Sequence, residues 1–575
     1  MFRKIVLSLL LILLVPIFLL AQNKYPTDYF IPPLDIDLKL AGTFGELRSN
    51  HFHSGIDIKT GEVEGLEIHS VADGYVSRIK ISSGGYGNAL YITHPNGFVS
   101  VYGHLQKFDK TLQSFTRKAQ YKRESFNVDL FPDKGELKVK KGEIIAWSGN
   151  SGSSSGPHLH FEIREEASQK PINPLLFGIH VKDINMPIIN LIKIYPFDNI
   201  ATINGKNRPI EIYVKRNGNT YVLNKKDTIA ISGKAFFGIN TFDPFNGGQN
   251  KNGVYSIQLL VDDNEVYSHK LEKFSFAETR YINSLIDYKE YKQKKRRVQK
   301  SCIQPNNRLN IYNNVENRGV VPFTDDGIHK ITYTVKDIKG NEAELSFYVK
   351  SKEIKSNTDK IELNISKGKL FNYTGINTFK TDEVKLEIPG KALYDTVYFQ
   401  YKVLPKLKDA LTPLYQIHFD YIPLQASGSL AIKVDSLEPD LHNKALIAKI
   451  DENGKPSSAG GSWDNGYLKT NIREFGNYCV MLDTVAPTIS TLNIKNGKNI
   501  SNQTTIRIRI KDSFSGIESY RGTLNGKWIL MEYDAKRSLL TYHFDEKLLT
   551  GKNTFEITVS DAMNNTNSYA AELIK

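Results

Sequence analysis

The chain has 575 residues, far more than one hydrophobic core needs, so about three to five domains are expected. Its formal charge is +13, with 75 Lys and Arg against 62 Asp and Glu, which suits an anionic polymer such as a cell wall. Nucleic acid would suit the charge too, but no helix-turn-helix, zinc-finger or RNA-stacking signature accompanies it, and that class is set aside.

Arg3 and Lys4, the apolar run Ile5 to Leu20 and the small Ala21 read as a secretory signal peptide over residues 1–21. A run of about 16 residues is short for a membrane span, and an uncleaved anchor is the alternative. No Cys follows it to carry a lipid, and no later stretch is long and apolar enough to span a bilayer. The protein is therefore expected to be exported: periplasmic, envelope-associated or secreted.

From Leu34 the pattern becomes strand-like. Asn50 to Thr60, NHFHSGIDIKT, places His53 and Asp57 four apart around Gly55. Leu66 to Val71 alternates, Asp73-Gly74 turns and Tyr75 to Ile81 returns, the pattern of a hairpin. A second hairpin is expected from Leu90–His94 and Phe98–Tyr102 around Pro95-Asn96-Gly97. His69 and His94, inside these strands, read as structural. Tyr102-Gly103-His104-Leu105 follows. Phe108 to Pro132 breaks the pattern and reads as a partly helical insertion beside the cleft that helps to select substrate. Strands resume at Glu143 to Trp147.

A Gly/Ser-rich loop then leads through Pro157 into His158-Leu159-His160-Phe161-Glu162. On a strand, residues i and i+2 share a face, so His158 and His160 point together and Leu159 and Phe161 point into a core. Paired imidazoles fit a metal site, an acid/base pair or two surface histidines. His53 and Asp57 answer them: two imidazoles and a carboxylate suit Zn²⁺, whose catalytic sites take three protein ligands and a water. On these grounds either His158 or His160 completes the set. Gly152-Ser153-Ser154-Ser155-Gly156 also fits a nucleophile elbow at Ser154, but a strand-like HLHFEI follows where that elbow needs a helix.

His53-x-x-x-Asp57, Tyr102-Gly103-His104-Leu105 and Gly156-Pro157-His158-Leu159-His160-Phe161, in this order, resemble the lysostaphin/LytM family of zinc metallopeptidases. The likeness runs from about Phe44 to Phe177 and includes Ala72 to Val76, Gly85 to Asn88, Val139 to Gly142 and Ile172 to Leu175. It implies that His53, Asp57 and His160 hold Zn²⁺, while His158 and His104 lie beside it and assist catalysis. It implies peptide stems of bacterial peptidoglycan as substrate, with a cross-link endopeptidase expected. Some relatives have lost their ligands and act only as activators, whereas every motif position is filled here. We assign the general base to His158, on the face of His160, and the orientation of water or the oxyanion to His104; which of the two takes the proton stays open. Glu162 shares the face of His160 and reads equally as its hydrogen-bond partner or as structural. The alternative is a catalytically silent envelope-binding or activator protein of wall hydrolases.

Beyond Pro174 the text changes to short alternating strands. Asp183-Ile-Asn-Met-Pro187 is echoed by Asp483-Thr-Val-Ala-Pro487, and Gly327 to Asp337 with Gly340-Asn341 by Asn553 to Asp561 with Asn564-Asn565. Such strands, closed by Asp/Asn/Gly turns, read as β-sandwich modules, similar to the immunoglobulin-like modules of secreted bacterial proteins. They are expected to bind, space or orient, and to offer a surface to an envelope protein partner. The fold class is mainly β: an antiparallel metallopeptidase domain at 22–180, β-sandwich modules at 187–350 and 487–575, and a β-rich module of unnamed type at 359–482. Lys292 to Lys300, KQKKRRVQK, reads as a solvated helix face or loop rather than a binding patch. Cys302 and Cys479 fall in different modules, and a disulfide and two buried thiols are both compatible with that.

Overall fold

The computed structural model describes residues 24–224, 228–245, 250–352 and 368–575; the expected signal peptide lies outside the described residues. Strands dominate and helices are few and short, so the mainly β class holds. The N-terminal unit contains strands β1 (Leu40–Gly42), β2 (Ile56–Lys59), β3 (Glu67–His69), β4 (Gly74–Ile81), β5 (Asn88–Thr93) and β6 (Phe98–Leu105). After β7 (Lys107–Phe108) and helix α1 (Lys110–Arg123) come β8 (Val128–Leu130), β9 (Lys138–Val139), β10 (Ile144–Trp147), β11 (His158–Glu165) and β12 (Pro171–Ile172).

The main sheet runs β1-β2-β11-β6-β5-β4-β8, with β12 beside β11 and β9 beside β4. Alternation decides its faces. Leu159, Phe161 and Ile163 of β11 and Ile56 and Ile58 of β2 are buried in one core, so His158, His160 and Asp57 take the other face. The register puts His160 opposite Asp57 on one side and Gly103 on the other. Gly55 is required here, because a Cβ would stand 2.2 Å from the carbonyl oxygen of Phe161.

The expected hairpin at 66–81 does not form. β3 pairs with β10, which also pairs with β7, whereas β4 joins β5, β8 and β9 in the main sheet. Ser70, between β3 and β4, bonds through its backbone to Glu143 and Gly142, which turns the chain from one sheet to the other. The second hairpin forms as β5–β6, with Gly97 at φ +81° in its turn. His94 lies buried within it, donating from Nδ1 to the carbonyl of Asp73 (2.8 Å) with Nε2 against Ser100 Oγ (2.8 Å). Burial pushes its pKa down to about 4.

The insertion is helical over α1. Asp109 caps it by accepting from the Leu112 amide (2.8 Å), and Glu124 ends it in the left-handed conformation. Leu112, Thr116 and Gln120, four apart, face the core. Its outer residues do not line the cleft, contrary to expectation: Arg117 and Tyr121 bond Asp545, and Tyr121 meets Trp528 edge-on at 5.2 Å. An amphipathic helix with two partners has one face for each, and the second partner here is the C-terminal β unit.

The strands from Ile188 to Ser351 form one sheet around a second core. Strand Ile229–Phe242 pairs with both Ile188–Pro196 and Glu342–Ser351, which closes the sheet on itself. A third core lies between the sheets of 369–482 and a fourth between the two sheets of 488–574. The sequence echoes have a structural meaning. Asn341 Nδ2 donates to the Asp337 carboxylate (2.6 Å) and toward the Asp183 carbonyl (3.4 Å); Asn565 does the same to Asp561 (2.7 Å) and Asp483 (2.9 Å). Each thus ties the lead-in of a unit to its closing turn. Cys302 and Cys479 are both buried and free. Of the basic run, Lys294 and Arg296 pair with Glu211 and Glu290, and Lys292 lies within 3.4 Å of Asp420 and 3.7 Å of Glu474, so these charges stitch elements together.

Candidate metal centre and active site

Three ligand-type atoms converge on the polar face of the main sheet. His53 Nε2 lies 3.0 Å from Asp57 Oδ1 and 3.1 Å from His160 Nδ1, and His160 Nδ1 lies 2.9 Å from Asp57 Oδ1. All three residues are buried and can hold a metal ion. Their outward atoms are each fixed by the chain. His53 Nδ1 donates to the carbonyl of Thr43 (2.8 Å), Asp57 Oδ2 accepts from Arg48 Nη2 (3.0 Å), and His160 Nε2 donates to Glu162 Oε1 (2.8 Å). With both rings neutral, as a metal in place of the His160 proton would make them, these bonds leave the Nε2 of His53, Oδ1 of Asp57 and Nδ1 of His160 as electron pairs aimed at one point.

Glu162 is 0% exposed and anchors this arrangement. It accepts from His160, from Ser54 Oγ (2.7 Å), from Tyr86 Oη (2.5 Å) and from Arg164 Nε (2.6 Å). Burial works against its charge, but Arg164 and His160 hold its carboxyl well below the usual range. Burial likewise opposes charge on His160, and the carboxylates of Asp57 and Glu162 override it, pushing its pKa up to about 9. Tyr86 also stacks on the His160 ring, 4.9 Å away at 22°.

His158 and His104 complete the cluster. His158 Nδ1 donates to the Gly156 carbonyl (2.8 Å), and its Nε2 faces Asp57 Oδ1 at 3.4 Å. His104 Nδ1 donates to the Ser151 carbonyl (2.9 Å), and its ring lies 4.8 Å from His158 and 5.9 Å from His160. Burial pushes the His104 pKa down to about 3, keeping it neutral. It sits at φ +61°, a left-handed conformation that it shares with several turn residues of the chain. In both imidazoles the nitrogen left over is an acceptor, able to take a hydrogen bond from water.

The Gly/Ser-rich loop holds no nucleophile elbow, since β11 follows it and Ser154 Oγ donates to the Gly156 carbonyl (2.6 Å). Gly152, at φ +66°, is needed because a Cβ would stand 2.3 Å from the Gly87 amide. Lys536 of the C-terminal unit grips this loop, donating to the carbonyl of Ser154 (2.8 Å) and to that of Asn150.

Residues 51–120 and 131–174 match the family model described as Peptidase family M23. The chain carries a Peptidase family M23 domain. The break in the match, residues 121–130, runs from the last residues of α1 through β8 and includes Tyr121 and Glu124, which bond Asp545 and Arg521 of the C-terminal unit. A second model, of the Zu5-like domain, matches residues 368–483 and gives a family to the β-rich stretch that the sequence left unnamed. The DD-carboxypeptidase/endopeptidase Mpg of Neisseria meningitidis is 33% identical over 138 residues, covering 24% of this chain and 25% of that protein. The murein hydrolase activator NlpD of Escherichia coli is 32% identical over 139 residues, covering 24% of this chain and 29% of that one. The crystal structure of the catalytic domain of the M23 protein EnpA from Enterococcus faecalis aligns at 26% identity and TM-score 0.20, covering 26% of this chain and 98% of that domain. The likeness thus spans about a quarter of the curated relatives and lies in the M23 domain.

The structure brings together all five histidines and carboxylates singled out in the sequence: His53, Asp57, His104, His158 and His160. Sequence reasoning missed Arg48, Thr43, Tyr86, Ser54 and Arg164. Arg164 carried a signal, since it is two past Glu162 on the same strand face.

Proposed function

We propose that the chain is a zinc-dependent endopeptidase that hydrolyses peptide cross-links in bacterial peptidoglycan, working outside the cytoplasm. The observation that carries this reading is the convergence of His53 Nε2, Asp57 Oδ1 and His160 Nδ1, with the acceptor nitrogen of His158 on the same point. The donor set fits zinc: two neutral imidazoles and one carboxylate, each with its outer atom bonded. Zinc held by His53, Asp57 and His160 supplies a Lewis acid that acidifies water and polarises the scissile carbonyl.

The chain's own groups do the rest. His158 Nε2 takes a proton from the attacking water and returns it to the leaving amine. Its Nδ1–H, bonded to Gly156, holds it in the tautomer that can do so. His104, neutral and fixed by Ser151, accepts from the water and orients it. The relatives' names support a wall substrate. Among the described residues no helix is long and apolar enough to cross a membrane. In this reading residues 22–180 are the catalytic domain, and modules at 187–350, 359–482 and 487–575 present it to the wall.

A second reading is kept because one relative is named a murein hydrolase activator. Digestion of purified peptidoglycan by the full chain with zinc, read by mass spectrometry, separates the two. The first reading expects cross-linked dimers to fall to monomers, with His158→Ala retaining zinc but inactive and His160→Ala losing both. Intact wall with zinc bound by the wild type would favour the activator.

A further inference from the structure

The metal centre opens into a cleft of about 740 Å³, and one wall of it comes from outside the M23 domain. Asn250, Lys251, Phe276 and Thr279, all from the unit that follows, line it with the metal-site residues. This wall is fixed in place. Phe44 and Phe52, flanking the turn that leads to His53, pack on Phe274 at 4.9 and 5.4 Å within a shared buried cluster. The Phe52 amide donates to Thr279 Oγ1 (2.7 Å), and Asn250 Nδ2 donates to the Ala41 carbonyl (2.7 Å). Two of the four wall residues are thereby occupied in holding the wall, and two are left for something else. Phe276 keeps 41% of its surface exposed at the cleft, seated on the Arg164 guanidinium at 4.6 Å. Lys251 is exposed, its ammonium lies 5.4 Å from the centre of the Phe242 ring, and among the described residues no carboxylate pairs with it.

We propose that Lys251 and Phe276 form a substrate subsite in which the ammonium takes a free carboxylate of the peptide and the ring takes the aliphatic part beside it. The ligand class is an anionic peptide. Of the two cleft cations, Arg48 is matched by Glu46 and Asp57, which leaves Lys251 to meet an incoming anion, and an exposed ring stiffened by a guanidinium offers apolar contact at little entropic cost. The subsite deepens the peptidase reading above and rests on it for its catalytic test.

The test uses the full chain with a synthetic cross-linked stem-peptide dimer, in one form with free carboxylates and in one with the carboxylates amidated. Lys251→Gln is expected to raise KM about two- to fivefold for the free form, with kcat and zinc content unchanged and no effect on the amidated form. Phe276→Ala is expected to raise KM for both forms. Unchanged KM in both variants, or an activity gain in Phe276→Ala, would overturn the proposal, the latter because the wall would then obstruct the cleft. If the wild type turns over neither form, the peptidase reading has failed and calorimetric binding of the same peptides decides the subsite alone. Tighter binding of the free than the amidated form, with the difference lost in Lys251→Gln, upholds it, and equal binding rejects it.

Discussion

Glu162→Gln tests the structure where its logic is tightest. The carboxylate is fully buried and accepts four bonds, three on Oε1 from Ser54, Tyr86 and His160 and one on Oε2 from Arg164. An amide of the same shape has one acceptor and one donor end. With its oxygen toward His160, its NH₂ meets the Arg164 Nε–H and leaves that guanidinium unpaired. With the amide turned round, its NH₂ meets the His160 Nε2–H, and the ring must change tautomer or rotate, which takes Nδ1 off the metal point. The first outcome costs stability on the order of 3 kcal/mol, the range for breaking a buried pair. The second weakens metal binding by about 10- to 100-fold, the usual effect of losing such a support. Zinc affinity by chelator competition and unfolding of the metal-free protein by denaturant separate the two. The double variant Glu162→Leu with Arg164→Met removes both charges, so it should recover stability while zinc affinity stays low. Wild-type zinc affinity in Glu162→Gln would refute the view that this residue sets the direction of His160.

Stripped of metal by chelator, the protein should lose stability as the pH rises. His160 has a folded pKa of about 9, above its ordinary value of 6.5, so its contribution is full below 6.5 and is lost as the pH climbs through 9. The loss is on the order of 3 kcal/mol by denaturant titration at pH 6 and pH 9; with zinc the slope should reverse, because the metal competes with that proton. Lys536→Ala should speed deuterium exchange across residues 150–155 without moving exchange in β11, at a cost of about 1 kcal/mol for partly exposed charge-assisted bonds. No change in that loop's exchange would mean that the lysine merely rests on it.

The face logic of β11 and β2 was open to sequence reading because alternation is local: His158, His160 and Asp57 had to share a side once Leu159, Phe161, Ile56 and Ile58 took the other. Order along the chain supplied the rest of the motif set. Pairing was less readable. Leu66 to Ile81 has the pattern of a hairpin, yet its two strands enter different sheets, since local alternation says nothing of which partner a strand finds. The left-handed φ of His104 left no mark in the sequence. Arg48 and Tyr86 act through bonds across sheets and loops. Phe276 and Lys251 reach the cleft from about 200 residues beyond His53, outside any periodicity. The insertion read correctly as helix, but its second face answered to a partner that no local pattern names.

The grip of Lys536 on the loop spans 386 residues to Asn150, and the packing of Phe52 against Phe274 spans a shorter but still large interval. Domains fold as units, N-terminal first, as a chain is made. The strands that aim the three metal-binding atoms are therefore complete long before the parts that steady their surroundings exist. The approach to His53 is packed by Phe274 and bonded by Thr279, and the loop before His158 is held by Lys536, each supplied later in the chain. A chain ending between these stages would place His53, Asp57 and His160 on their strands while the cleft wall and the loop before His158 still lacked their supports.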